Sequence, residues 1–241
     1  MMAYALPALA WGQKGHRIIA QIAYDHLDKK AKKQVNRILG EGGMIYWVNW
    51  PDEIKSDTIF PNSHDWHYQN FEDGVSVGGN LFRALDSLEN VLRVNVQGTK
   101  DKEYTLRFLI HLKGDEYCPM HMARKSDRGG NKVKMKWFGT ETNLHAVWDE
   151  RLVDSQGYSY TEYAEMLEKR FGRKDRLQAL MAEDEEVLVT RTKELTEQIY
   201  TYQESWDGNT YHYIYAMKGH MESQLYIAGI RLAMLLNSIF K

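Results

Sequence analysis

The sequence predicts an all-α fold, a compact multi-helix domain with one small β-hairpin. Apolar residues recur at helical spacing along most of the chain, from residues 12–27 to a long apolar stretch at residues 221–240. Polar and apolar residues alternate strictly at one place, KVKMKWF at residues 132–138, which follows a Gly-Gly-Asn turn signal. These two observations indicate a helical domain that carries a single hairpin.

The second helix has a recognisable start and end. Asp28 stands in the N-cap position of a second helix, and Gly40 ends that helix. The segment at residues 42–67, rich in Trp, Pro, Asn and Asp, predicts a long functional loop. The charged helices at residues 161–171, 173–182 and 185–202 are expected to be peripheral. Further helices are expected at residues 80–96, 102–117 and 142–152.

Composition limits the function classes. With 241 residues and 43% hydrophobic content, the chain can form one domain with a sizeable core. Its net charge of -2 provides no global field for nucleic acid, so a polyanion would need local positive charge such as bound cations. Cys118 is the single cysteine, which excludes an intrachain disulfide. Polar residues interrupt the stretch at residues 221–240, which favours a core helix over a membrane span.

The first ten residues, MMAYALPALA, resemble the end of a secretory signal with a small-residue cleavage site. We expect residues 1–10 to be a signal-peptide remnant or an expression leader, and residues 11–241 to form the helical domain. Cleavage after Ala10 would make Trp11 the N-terminus. The charged start of a signal is absent, and an ordinary disordered N-terminus is the alternative. Secretion without disulfides suits a bacterial periplasm.

A candidate metal-binding pair lies in the central helix, within RFLIHLKGDEYCPMH at residues 107–121. His111 and Asp115 are four residues apart, so a helix places them on one face. An imidazole and a carboxylate on a buried helix are suitable ligands for zinc. Pro119 stops the helix, and His121 follows it. For this stretch alone, a core histidine paired with an aspartate is an equally good interpretation.

A second pair repeats the pattern. In NLHAVWD at residues 143–149, His145 and Asp149 are again four apart among apolar residues. Two such pairs on two apolar helices are hard to explain as packing, because buried carboxylates are costly unless a cation compensates them. The sequence therefore predicts several bound metal ions.

Six motifs, in order, resemble the zinc-dependent nucleases of fungi, plants and bacteria that prefer single strands (type I nucleases), whose relatives are the zinc phospholipases C. The resemblance is dense at residues 11–149 and weak afterwards, and it implies the helical fold of that phospholipase C/nuclease superfamily. The motifs are WGxxGH at residues 11–16, WPDE at 50–53, HY at 67–68, RFLIHLKGDEYCPMH at 107–121, GGNK at 129–132 and NLHAVWD at 143–149.

The resemblance implies three Zn²⁺ ions and assigns their ligands. The first ion would be held by Asp52, His67, His111 and Asp115. The second would be held by His121, His145 and Asp149. The third would be held by His16, by Asp115 as a bridge, and by the free amine and carbonyl oxygen of Trp11. From the residues themselves, five histidines and three aspartates suit Zn²⁺ better than Mg²⁺.

The resemblance also implies a mechanism. A hydroxide on the Asp115-bridged pair of ions, its pKa lowered towards ~7, would attack phosphorus in line. The zinc at His121, His145 and Asp149 would stabilise the leaving 3′ oxygen, and the products would carry 5′ phosphates.

Two further residues carry expected catalytic roles. Many relatives have an aspartate three residues after the histidine that matches His67, where it orients the attacking water. This chain has Asn70 there, which can form hydrogen bonds but cannot take a proton, and we expect activity to persist. Lys55 occupies the position of a cation that neutralises the transition-state phosphate. A solvated loop lysine is the alternative for Lys55.

Substrate contacts are expected from Asn131, which matches a base-contacting asparagine of the family, and from Tyr68 and Phe71 as stacking surfaces for a base. A turn asparagine and core packing are the respective alternatives. His64 could replace His67 as a ligand, but the following Tyr68 favours His67. Cys118 matches no ligand position, and we interpret it as a structural thiol.

The predicted function is a secreted zinc endonuclease that hydrolyses single-stranded DNA and RNA, with 3′-nucleotidase activity as well. Its substrates would be single-stranded nucleic acids and 3′-nucleotides. We expect a monomer, with neither a protein partner nor a stable membrane association. A zinc phospholipase C is the nearest alternative, and the GGNK turn and the NLHAVWD spacing favour the nuclease. A non-catalytic zinc-binding protein is the other alternative, although sites with open coordination positions favour catalysis.

Overall fold

The computed structural model describes residues 11–72, 75–94 and 99–241. Of these described residues 69% are helical, and the described strands form two small antiparallel pairs, which confirms the predicted mostly-α fold. The expected signal segment at residues 1–10 lies outside the described residues. The expected end of a helix at residues 95–96 lies outside them as well.

The helices are α1 (Gln13–Asp25), α2 (Lys29–Leu39), α3 (Gly43–Trp47), α4 (Trp50–Glu53), α5 (Leu81–Arg93), α6 (Thr99–Asp115), α7 (Leu144–Ala146), α8 (Leu152–Asp154), α9 (Tyr160–Phe171), α10 (Lys174–Ala182), α11 (Glu185–Ser205) and α12 (Thr210–Ile239). The strands are β1 (Gln69–Glu72), β2 (Val75–Gly79), β3 (Lys134–Trp137) and β4 (Thr140–Asn143). Short 3₁₀ segments occur at Ser63–His67 and Pro119–Met122, and a π-helical turn at Val147–Arg151 joins α7 to α8.

The packing of α1 sets the position of His16, a predicted metal ligand. This helix buries an apolar face against α12 and α9, and it also contacts α6. Two glycines allow its close approach. A Cβ on Gly229 of α12 would stand 2.6 Å from Ile22 Cγ2, and a Cβ on Gly114 of α6 would stand 3.0 Å from His16 Nδ1. Any other residue would push α1 away from one of these neighbours.

The expected hairpin is β3 paired with β4, with Lys134 opposite Asn143 and Trp137 opposite Thr140. Met135 and Trp137 are buried while Lys134 and Lys136 are exposed, as the alternating sequence indicates.

A second pair, β1 with β2, was not expected from the sequence. It has an irregular register between Asn70 and Phe71. The sequence signal that could have found it is the Asp-Gly dipeptide at residues 73–74, between two short runs with strand-forming residues.

Three other sequence expectations need correction. The last helix begins at Thr210 and not near Met221, because the Asn209 side chain caps it by accepting from the backbone of Tyr211 and His212. The expected loop at residues 42–67 contains α3, α4 and a 3₁₀ segment. The helix α11 is not peripheral, since it buries seven residues and contacts the Pro119–Met122 segment. No helix in the described part of the chain has the length and apolar character needed to cross a bilayer.

Candidate metal centre

The helix α6 presents His111 and Asp115 from inside the protein, where both side chains are 0% exposed. His111 Nδ1 lies 2.7 Å from the carbonyl oxygen of Val48, at the end of α3. Because a carbonyl oxygen only accepts, Nδ1 carries the ring proton in the neutral imidazole. The other nitrogen, Nε2, then directs a lone pair towards Asp115 Oδ2, which is 3.5 Å away.

The same arrangement recurs at two other histidines. His121 Nδ1 donates to the backbone carbonyl of His67, and His145 Nδ1 donates to that of Gly129 at 2.6 Å. The Nε2 atom of His121 lies 3.9 Å from Asp149 Oδ1, and that of His145 lies 2.9 Å from Asp149 Oδ2. Histidine ligands of metals commonly have one nitrogen fixed by a carbonyl while the other faces the metal.

The pair His145 and Asp149 is carried partly by the π-helical turn at Val147–Arg151. The sequence predicts an ordinary helix there. Single π turns are frequent at functional sites because they change the angle at which side chains leave the helix. The Asn143 side chain starts this segment by accepting from the Ala146 backbone N–H at 2.8 Å.

Asp115 is the centre of the cluster. Its Oδ1 lies 3.3 Å from His16 Nε2, and its Oδ2 lies 3.1 Å from His67 Nδ1 and 3.9 Å from His121 Nδ1. The His16 ring stacks on His111 with centroids 3.9 Å apart. The carboxylate thus touches groups from α1, the two 3₁₀ segments and its own helix.

Asp52 and Lys55 border the cluster on the α4 side. Asp52 Oδ1 lies 3.8 Å from His67 Nδ1, and its Oδ2 lies 3.8 Å from His111 Nε2. Lys55 Nζ lies 3.7 Å from Asp52 Oδ1. The site therefore contains all eight histidines and aspartates that the sequence places there: His16, Asp52, His67, His111, Asp115, His121, His145 and Asp149.

Burial controls the protonation of the cluster. Burial, followed by repulsion from neighbouring histidines, lowers the pKa of His16 and His67, and burial lowers that of His121 to about 4. Burial together with the charges of Asp52 and Asp149 raises the pKa of Asp115. Several imidazoles are therefore neutral at neutral pH and ready to coordinate a cation without first losing a proton.

Several buried atoms of the cluster have no hydrogen-bond partner among the described residues. Such atoms are costly, and a cation coordinated by their lone pairs would compensate them. The donor set, neutral imidazole with carboxylate, suits a zinc-like metal. The atoms are Nδ1 and Nε2 of His16, Nε2 of His67, Nε2 of His121, Oδ1 of Asp115 and Oδ2 of Asp149.

Three groups within the described residues bring ligand atoms within 4.8 Å of one another. They are His16 with Asp52 and His111, His67 with His111 and Asp115, and Cys118 with His121 and Asp149. The first places His16 beside ligands that the resemblance assigns to another ion. The third includes Cys118, which the sequence interpretation left out. Burial and the nearby Asp149 and Asp115 raise the pKa of its thiol.

Trp11 lies beside the part of the cluster that contains Asp149. Its side chain is fully buried, and the backbone N–H of the next residue, Gly12, donates to the carbonyl oxygen of Asp149 at 2.6 Å. The start of α1 is thereby held against the π-helical turn. The predicted ligand position of Trp11 is adjacent to the cluster.

The residues that were predicted to contact the substrate or the attacking water differ in their burial and in their hydrogen bonds. Asn70 is buried on β1, opposite Gly78, and Tyr68 donates to Asp65 Oδ1 at 2.9 Å. The Phe71 ring is half-buried, with Lys193 Nζ 4.1 Å from its centroid. Asn131 Nδ2 donates to the Arg128 carbonyl at 2.8 Å, a contact within its own turn.

The imidazole of His64 is mostly solvent-exposed, whereas that of His67 lies in the cluster. Sequence reasoning also missed Gly114 and the carbonyl acceptors of the three histidine rings. Gly114 stands between His111 and Asp115 in the motif, where a glycine inside a helix signals a close approach. The carbonyl acceptors have no sequence signal, because any residue type supplies one.

The chain matches the family model described as S1/P1 nuclease over residues 11–241. It belongs to the S1/P1 nuclease family. The match covers all the described parts of the cluster, from Trp11 and α1 to the last helix.

Individual relatives agree with this family. Endonuclease 3 of Arabidopsis thaliana is 32% identical over 171 residues, which cover 64% of this chain and 58% of that protein. Endonuclease 2 of the same plant is 29% identical, with 63% of this chain and 59% of that protein covered. Nuclease S1 of Aspergillus oryzae is 27% identical, with 70% and 65% covered. The chain spans about three fifths of the length of the curated relatives it matches.

Proposed function

We propose that this protein is a zinc-dependent nuclease that hydrolyses phosphodiester bonds of single-stranded DNA and RNA, leaves 5′-phosphorylated products and also acts on 3′-nucleotides. The observation that carries the proposal is the buried His and Asp cluster, whose lone pairs converge without partners among the described residues. Membership of the S1/P1 nuclease family supports the reaction class.

We assign the residues of the cluster to three zinc ions. Asp52, His67, His111 and Asp115 would hold the first, and His121, His145 and Asp149 would hold the second. His16, Asp115 and the amine and carbonyl of Trp11 would hold the third. When bound, these ions supply Lewis-acid activation of water and positive charge for the phosphate.

The protein's own groups prepare this chemistry. The backbone carbonyls of Val48, His67 and Gly129 hold three imidazole rings in one tautomer and orientation, with Nε2 facing inward. Asp115 Oδ1 lies near His16 of α1, and its Oδ2 lies near His67 and His111, so this carboxylate could contribute to both the first and the third ion. The fixed rings and this bridge keep the ligands in place during turnover.

Two polar side chains have assisting roles in the proposal. Lys55, beside Asp52, adds positive charge at the edge of the cluster, where it would stabilise the phosphate in the transition state. The Asn70 amide, buried on β1, would orient the attacking water through a hydrogen bond while proton transfer rests with another group.

For the substrate base we propose a surface formed by Tyr68 and Phe71. Lys193 Nζ lies 4.1 Å from the centroid of the half-buried Phe71 ring, so a base that stacks at this ring would have a cation for its phosphate nearby. Asn131 would contact the base through the part of its amide that the turn hydrogen bond to Arg128 does not use.

We also propose that the protein is exported, with cleavage after Ala10, and that it acts as a monomer in the periplasm. The closeness of Trp11 to Asp149 supports this, because a free amine at Trp11 would lie beside the metal ligands. N-terminal mass spectrometry of protein recovered from the periplasm tests it. A mature chain that retains residues 1–10 would contradict it.

The test of the function is digestion of end-labelled single-stranded DNA and RNA oligonucleotides by protein that starts at Trp11. Zinc-loaded protein is compared with chelator-treated protein, and the product ends are identified by mass spectrometry. We expect zinc-dependent cleavage with 5′-phosphate ends, and release of phosphate from 3′-nucleotides. A duplex of the same sequence should be cut more slowly.

The matched control is Asp115→Asn, which keeps the side-chain shape but removes the bridging charge. Contaminating nuclease would act equally in both preparations. Protein shown by metal analysis to carry zinc, yet inactive on every oligonucleotide, would contradict the proposal. In that event turnover of phosphatidylcholine identifies a phospholipase C, and its absence identifies a non-catalytic zinc protein.

A further inference from the structure

A thiol lies inside the half of the candidate metal centre that contains His121 and Asp149. Cys118 is fully buried, and its Sγ lies 3.5 Å from Asp149 Oδ1. The sulfur, a His121 ring nitrogen and an Asp149 carboxylate oxygen all lie within 4.8 Å of one another. The thiol therefore lines the space in which the proposed second zinc would be bound.

An unpartnered atom in the same place points independently to a ligand. His121 Nε2 has no hydrogen-bond partner among the described residues, although His121 is only 4% exposed, and Asp149 Oδ2 faces His145 Nε2 at 2.9 Å. His121 Nδ1 already donates to the His67 carbonyl, so Nε2 has only its lone pair to offer. A cation bound between these atoms satisfies both of them.

The spacing fits a shared metal ion. A sulfur ligand at about 2.3 Å and an oxygen ligand at about 2.0 Å from a tetrahedral zinc lie about 3.5 Å apart. The separation of Cys118 Sγ and Asp149 Oδ1 is 3.5 Å. The backbone N–H groups of Met120 and His121 also face the sulfur, but burial and the charges of Asp149 and Asp115 outweigh them and raise the pKa of the free thiol, so a bound cation has to displace the thiol proton.

We propose that Cys118 is a thiolate ligand of the zinc ion held by His121, His145 and Asp149. When the sulfur–zinc bond forms, the S–H bond breaks and its proton passes to solvent. The inference rests on the zinc binding proposed above. It differs from the sequence interpretation, in which Cys118 is a structural thiol.

The consequence is a second site unlike an ordinary catalytic zinc site. Four protein ligands, one of them a soft and negatively charged sulfur, favour zinc over Mg²⁺ and Mn²⁺. The extra negative charge also lowers the ability of the ion to polarise an oxygen, and a substrate oxygen must enter as a fifth ligand.

The experiment is X-ray absorption at the zinc edge on the zinc-loaded wild-type protein. The chain has one cysteine, so any thiolate signal comes from Cys118. With three zinc ions bound, we expect about one third of a sulfur per zinc at about 2.3 Å, beside nitrogen and oxygen at about 2.0–2.1 Å. Cobalt-substituted protein should show a sulfur-to-cobalt charge-transfer band in the near ultraviolet.

The matched variant is Cys118→Ser, a nearly isosteric change in which both signals should vanish. Zinc-loaded wild type with nitrogen and oxygen ligands alone would overturn the inference and leave the proposed function intact. A sulfur signal that persists in Cys118→Ser would assign it to a methionine and overturn the inference as well. Protein that binds no zinc contradicts the proposed function itself. The wild-type spectrum decides the question even if the variant does not fold.

Discussion

The helix α6 buries ionisable groups on two faces and stabilises them in opposite ways. On one face, Lys113 donates to Glu116 and to Glu185 of α11, and Tyr117 also donates to Glu185. On the other face, His111 and Asp115 meet other histidines and carboxylates, and Asp115 Oδ1 has no hydrogen-bond partner among the described residues. We call these the charged face and the metal face.

The difference shows why one face is structural and the other is a candidate site. On the charged face, burial opposes the charge of Lys113, but Glu116 and Glu185 outweigh it and raise its pKa. On the metal face, burial raises the pKa of Asp115, with carboxylates rather than an ammonium group beside it. A buried carboxylate needs a cation in either place. On the charged face Lys113 is that cation, whereas on the metal face Lys55 contacts Asp52 and does not outweigh the burial of Asp115.

The largest expected effect is on catalysis. Asp115→Asn should lower nuclease activity by at least ~10³-fold, because the bridging charge between metal ions is lost. Glu116→Gln, at the residue that directly follows the end of α6 and belongs to the charged face, is the control and should keep activity within a few-fold. Initial rates on a single-stranded oligonucleotide measure both. Equal losses in the two variants would contradict the distinction between the faces.

The charged face should dominate stability. Lys113→Met removes the ammonium partner of the buried Glu116 and the half-buried Glu185, and it should lower the free energy of unfolding by about 3–5 kcal/mol. Activity per folded molecule should change little. Urea unfolding of zinc-loaded protein measures the first quantity, and rates normalised to folded protein measure the second. A stable but inactive variant would place Lys113 in the catalytic machinery.

In metal-free protein, the two faces should respond oppositely to pH. Burial lowers the pKa of His121 to about 4, so its contribution to stability is present above pH 6.5 and is lost as the pH falls towards 4. That contribution is about 3 kcal/mol for a shift of this size. Burial raises the pKa of Glu116 to about 7 against the attraction of Lys113, so its contribution is lost as the pH rises through 7.

Glu116→Gln removes the opposing carboxyl of the charged face, so in the unfolding of this chelator-treated variant across pH 4 to 7 the several lowered histidine pKa values should outweigh the raised pKa of Asp115. We expect stability to fall as the solution becomes more acidic, and zinc should reduce this dependence by holding the imidazoles neutral. A pH-independent stability in this variant would mean that burial does not lower the histidine pKa values.

Two glycines separate packing from metal binding. Gly114→Ala would place a Cβ 3.0 Å from His16 Nδ1, and Gly229→Ala would place one 2.6 Å from Ile22 Cγ2. Each should cost about 1–3 kcal/mol of stability through overpacking. Only Gly114→Ala should also weaken zinc affinity, measured by competition with a chromophoric chelator. A similar loss of affinity in Gly229→Ala would show that the packing of α1 as a whole controls the site.

The smallest expected effect concerns Asn70, at the edge of the metal face. Asn70→Ala should reduce kcat about tenfold through loss of a hydrogen bond to the attacking water, with unchanged zinc content. Asn70→Asp, which keeps the shape and adds a proton acceptor, should be at least as active as the wild type. Wild-type activity of Asn70→Ala would show that Asn70 has no such role.

Much of the fold and of the candidate site could be predicted from the local spacing of residues. The four-residue separation of His111 and Asp115 in α6 needs only helical geometry, and the alternation in β3 needs only strand geometry. The pair β1 and β2 was missed because its strands are short and irregular at Asn70. The part of α12 before Met221 was missed because its capping residue, Asn209, precedes a polar and aromatic stretch instead of an apolar one.

The sequence by itself was enough to predict the helical fold class, the two His/Asp pairs and the family, because these depend only on residue types and their order. Only the tertiary structure decided what each side chain faces. The His111 ring is fixed by Val48, 63 residues away, and Cys118 reaches Asp149 across 31 residues. The physical reason is that backbone periodicity is a local property, whereas partners for buried lone pairs come from whichever distant segments the core brings together.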